Sequence, residues 1–72
     1  MFVKKIDRVY VRSISAMSDR VKSVNNDSEK LVSLINLNYI FVNNSSLCTK
    51  LLTKTKTVKA DIGKILNKIT NK

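Results

Sequence analysis

Lysine supplies most of the chemistry this sequence can do. Lys50, Lys54, Lys64, Lys68 and Lys72 recur near the C-terminus. At 100° per residue they fall within about 80° of one another on a helix. Ammonium groups four residues apart on one flank can displace the counterions condensed on DNA or RNA, which gives affinity for the phosphate backbone without reading bases. Asp61 interrupts that flank, and Lys56 and Lys59 fall on the other side. Lys4, Lys5, Arg8 and Arg12 make a second basic edge near the N-terminus.

A plainer reading competes. Lysines beside an apolar stripe cover it with their stems while their heads stay in water, and those near a helix C-terminus suit its dipole. The net charge of +9 on 72 residues tips the balance toward an acidic partner. A surface so charged repels its own copies until something neutralises it. With three arginines, Arg8, Arg12 and Arg20, bidentate reading of guanine is poorly provided for. Phe2, Tyr10, Tyr39 and Phe41 are not interleaved with bases as stacking platforms are, and Tyr39 and Phe41 are expected in the core. Any nucleic-acid contact should therefore tolerate sequence.

Other chemistries lack their groups. Histidine is absent, the five acids show no dyad spacing, and Gly63 is the lone glycine, so no phosphate loop exists. No enzymatic activity, cofactor or small-molecule substrate is expected. Cys48 is the single cysteine, which excludes an intrachain disulfide and leaves zinc almost nothing to bind. It is expected to be a buried thiol.

No apolar run approaches the roughly 20 residues of a membrane-spanning helix. The opening "MFVKKIDRVYVRSISAMS" lacks the apolar core of a secretory signal, and Asp7 counts against a presequence. With one free cysteine, a reducing compartment follows, cytoplasmic or virion-associated, neither secreted nor transmembrane. Asn, Lys and Ile, all with AT-rich codons, make up much of the chain, a composition common in phages, viruses and low-GC bacteria.

The elements that must position these groups are helical. There is no proline, and the clusters "NNDSE" and "NNSS" punctuate the chain at 25–29 and 43–46. They divide one domain, 1–72, into helices at about 3–24, 28–42 and 46–71. Asn26 and Glu29 stand at capping-box spacing, and Ser45 or Ser46 should cap the last helix. In that helix Leu47, Leu51, Val58, Ile62, Ile65 and Ile69 follow a heptad seam, Thr55 fills its gap, and Cys48 and Leu66 widen it. In the first, Val3, Ile6, Tyr10, Ile14, Met17, Val21 and Val24 form the stripe. Its phase runs on into Leu31 and Ile35, which admits a rival picture of one unbroken helix over 3–42. Strand is a further rival, since "INLNYIFV" also alternates.

The middle segment, "LVSLINLNYIFV", is apolar nearly all round, and such a helix needs burial on more than one side. A chain this short is marginal by itself. A second chain is therefore expected against Leu34, Leu37, Ile40 and Phe41. The expected fold is all-α, a small antiparallel helical hairpin or three-helix bundle with coiled-coil-like packing, completed by self-association. The expected function is a non-enzymatic contact with nucleic-acid phosphates, in a homo-oligomer or a viral or phage assembly. The alternatives are a structural subunit or interaction module without nucleic acid and, third, a helix lying on an anionic membrane surface.

Overall fold

The computed structural model describes residues 8–71, so the expectations that rest on Val3, Lys4, Lys5, Ile6 and Lys72 lie outside the described residues. The described chain is all-helical, with no strand. Four helices follow one another: α1 over Arg8–Val21, α2 over Asp27–Val42, α3 over Ser45–Lys50 and α4 over Leu52–Thr70.

The chain breaks where its asparagines lie. The last turn of α1 tightens into bonds from Lys22 N–H to the Asp19 carbonyl, from Ser23 to Arg20 and from Val24 to Val21. These are three-residue steps that cannot continue an α-helix. Asn26 is extended, at φ −92° and ψ 119°, and its Oδ1 accepts the Glu29 N–H at 2.9 Å. That cap satisfies a free donor of α2 and rules out the unbroken helix over 3–42.

At the next joint, Asn43 closes α2 by donating from Nδ2 to the Tyr39 carbonyl at 2.9 Å. Asn44 then opens α3, accepting the Leu47 N–H on Oδ1 at 3.1 Å. The expected cap at Ser45 or Ser46 is corrected by one or two residues. Asparagine's carbonyl reaches the same donor, so the polar cluster was informative while the choice within it was not.

The expected helix over 46–71 is two. Leu51 leaves helical geometry at φ −116° and ψ 41°. Its N–H still donates to the Leu47 carbonyl, and its own carbonyl accepts both the Thr55 N–H at 2.9 Å and the Thr55 hydroxyl at 3.0 Å. A threonine hydroxyl competing for the carbonyl four residues back bends helices. The bend lets α3 seat Leu47, which is 0 % exposed, while α4 seats Thr55, Val58 and Ile65 on the same core.

Each helix contributes to one apolar cluster: Ile14 and Val21 from α1, Leu34, Leu37 and Phe41 from α2, Leu47 from α3, and Val58 and Ile65 from α4. Val11, Leu31, Ile40, Cys48, Leu51 and Ile62 pack around it, half-buried. The most extensive packing is between α2 and α4. These two run in opposite directions, since Asp27 at the start of α2 meets Lys68 near the end of α4.

Several seam residues lie further out than their spacing implied. Tyr10 and Met17 of α1 and Leu66 and Ile69 of α4 are exposed. Ser18 takes the place on the α1 core face that Met17 was expected to fill. Among the described residues, no helix is long and apolar enough to cross a membrane.

Candidate functional site

The basic flank of the C-terminal segment does not survive as one surface. Lys50 belongs to α3 and is separated by the bend at Leu51 from Lys54, Lys64 and Lys68 of α4. Those three share a side of α4 with Asp61, beside the buried face carrying Val58 and Ile65. That side meets acids from the rest of the fold. Lys54 Nζ donates to Asp19 Oδ1 at 2.6 Å, tying α4 to α1. Lys68 Nζ lies 3.1 Å from Asp27 Oδ2, tying α4 to the start of α2. Lys54 is the more enclosed, its side chain 29 % exposed.

The Asp19 carboxyl is held below its usual range, chiefly by the hydrogen bond from Lys54, which outweighs the opposing cost of desolvation. The charges of Lys54 and Lys22 add to the same effect. Asp19 therefore stays ionised, and Lys54 carries a counterion of its own. Two of the five expected contact residues on this flank, Lys54 and Lys68, thus face carboxylates of their own chain.

Lys64 is exposed and stands at an open cleft of about 260 Å³, lined by Asp27, Lys30, Asp61, Lys64, Ile65 and Lys68. Three ammonium groups against two carboxylates leave a cleft of mixed sign with one ammonium in excess. Lys30 also donates to the Lys22 carbonyl at 3.4 Å, which braces the α1–α2 connection. No three Cys, Asp or Glu side chains among the described residues converge where a metal ion could sit.

The cations that form none of the ion pairs among the described residues are spread more widely than expected. Arg8, Arg12 and Arg20 are exposed on α1, the first two four residues apart on one side, and Lys22 is exposed just beyond it. Lys50 is exposed on α3, and Lys56, Lys59 and Lys64 on α4. Lys56 and Lys59 lie off the expected flank. A signal for them existed: acids that pair across helices must come from neighbouring elements, so the lysines facing away from those elements keep their charge for solvent or a partner.

Leu34, Leu37 and Phe41, expected to face another chain, are instead 2 %, 1 % and 1 % exposed within this chain's own core. Ile40 is half-buried and packs against the same core. As placed, the three buried residues have no surface to offer. The apolar residues α2 does expose are Val32, Ile35, Tyr39 and Val42. Tyr39 thus corrects a second expectation. It lies two residues, or about 200° of helix, from Phe41, so the two cannot share a core face.

Set against family models, curated proteins and solved structures, the chain matches none of them.

Proposed function

We propose that this chain is a non-enzymatic, self-associating helical protein that holds the phosphate backbone of a nucleic acid through cations spread over several helices. The carrying observation is the uneven pairing of charge. Among the described residues, carboxylates engage Lys54 and Lys68, while Arg8, Arg12, Lys50, Lys56, Lys59 and Lys64 stay exposed and unpaired. Such a surface attracts polyanions and gains affinity by releasing their counterions, with no need for base contacts.

Anisotropy of labelled DNA and RNA duplexes, measured over a range of salt, tests this. If Lys50, Lys56, Lys59 and Lys64 contact B-DNA phosphates, the log–log slope should be about −3 to −4 per chain. Replacing Lys56, Lys59 and Lys64 together by Gln should flatten that slope by about 2 to 3, while Lys54→Gln leaves it nearly unchanged. Absence of duplex binding at low salt would end the nucleic-acid part of the reading.

A second reading, an interaction module within a larger protein assembly, draws on the exposed apolar residues of α2. It is favoured if the chain binds no duplex yet still associates.

A further inference from the structure

From Leu31 to Thr49 the sequence carries no charged residue, although the chain as a whole carries +9. Within that stretch α2 turns Leu34, Leu37 and Phe41 inward and leaves Val32, Ile35, Tyr39 and Val42 at 59 %, 49 %, 69 % and 66 % exposure. The four exposed residues follow one another at steps of three, four and three, the spacing of a helix-pairing seam. At 100° per residue they occupy an arc of about 80° on the outer side of the helix. They form an uninterrupted apolar stripe on the one long helix, among the described residues, whose outer face carries neither lysine nor arginine.

We propose that this stripe seats a second copy of the chain, its α2 antiparallel to the first about a two-fold axis at the level of Leu37. The inference rests on the self-association in the reading above and assigns it a face and a symmetry. Three observations favour a second copy. First, the stripe complements itself, as a two-fold interface requires. Its spacing is symmetric about position 37, so Val32 meets the partner's Val42 and Ile35 meets the partner's Tyr39. Second, two chains of high like charge approach with least repulsion where neither presents charge, and Leu31 to Val42 is that place.

Third, the start of α2 presents one carboxylate that no ion pair engages: Asp27 meets Lys68, while Glu29 is exposed and forms none of the ion pairs among the described residues. The last turn of α2 carries no base, and the next cation beyond is the exposed Lys50 of α3. Antiparallel pairing turns Glu29 toward the partner's α3 end and opposes the two helix dipoles. Parallel pairing would set Glu29 beside the partner's Glu29. The contact is small. It offers four apolar side chains per chain along about 15 Å of helix, against the roughly 20–30 residues a side of a standard interface. The dimer should therefore dissociate reversibly.

Sedimentation of the full chain, free of nucleic acid, should show a monomer–dimer equilibrium below about 500 µM. Tyr39→Lys and Ile35→Lys should each raise the dissociation constant at least about tenfold while helicity is retained. In a Cys48→Ser background, mild oxidation of Val32→Cys mixed with Val42→Cys should give the mixed disulfide, and Val32→Cys alone should give almost none.

Three results would overturn the proposal: a monomer throughout that range, a dimer indifferent to Tyr39→Lys, or self-linking of Val32→Cys as efficient as the mixed link. Capture of monomeric wild type, but not of Tyr39→Lys, by anionic phosphatidylserine vesicles would also overturn it and assign the stripe to lipid. Duplex binding is a separate measurement. A dimer that ignores duplexes supports this inference and removes the nucleic-acid contact, whereas a duplex-binding monomer does the opposite.

Discussion

Lys54 and Asp19 stand thirty-five residues apart in sequence and 2.6 Å apart in space, the hydrogen-bonded ion pair that joins α4 to α1. Asp19 is more than half exposed, so the pair aligns helices more than it stabilises them. Its folded-state pKa is depressed, chiefly by the Lys54 hydrogen bond. The stabilisation is therefore fully present above the unfolded value of about 3.9 and is lost as pH falls through the lower folded value. Urea melts below about pH 4 should show wild type losing this contribution and Asp19→Asn having none to lose. Equal acid sensitivity in both would mean that the carboxylate is not held.

Leu47 and Leu66 separate core from surface within the segment that spacing alone treats as one seam. Leu47 is 0 % exposed and Leu66 is 46 % exposed. Leu47→Ala should cost about 2–5 kcal/mol, a large share of the stability of so small a fold. Leu66→Ala should stay within about 0.5 kcal/mol. Chemical denaturation of the two variants side by side decides this.

The caps give a second contrast. Asn44 accepts the Leu47 N–H, and Ser45 and Ser46 are exposed beyond it. Asn44→Ala should destabilise by about 1 kcal/mol, and Asn26→Ala by a similar amount at the start of α2. Ser45→Ala and Ser46→Ala should be close to neutral in the same melts.

Gly63 offers a gain. It lies inside α4 without positive φ, and a Cβ built there meets nothing within 4 Å. Gly63→Ala should stabilise by about 0.4–1 kcal/mol, through higher helix propensity and a less flexible unfolded chain. A thermal melt should rise by a few degrees, about 4–8 °C per kcal/mol for a chain of this size. A fall would show that position 63 contacts something in solution that the single chain does not contain.

Helix content and the two polar breaks were legible in the sequence, because asparagine clusters in a proline-free chain leave few other readings. Thr55 was legible as the residue that fills the seam gap, where it is buried, but its hydroxyl bond to the Leu51 carbonyl was not. What escaped was orientation. α2 is apolar all round, so nothing in its pattern separated Leu34, Leu37 and Phe41 from Val32, Ile35, Tyr39 and Val42. The face is chosen by α4 packing against it. The bend at Leu51 escaped because one residue out of helical geometry leaves the 3–4 spacing intact. The pairing of Lys54 and Lys68 escaped for a related reason: a helical wheel shows neighbours along one helix and is blind to acids arriving from another.

The short α3 between α2 and α4 has a kinetic consequence. The two helices that share the most extensive contact are separated by the nine residues 43–51, so the chain closes a small loop before its core begins to reward it. Such topologies reach the native state in microseconds to milliseconds.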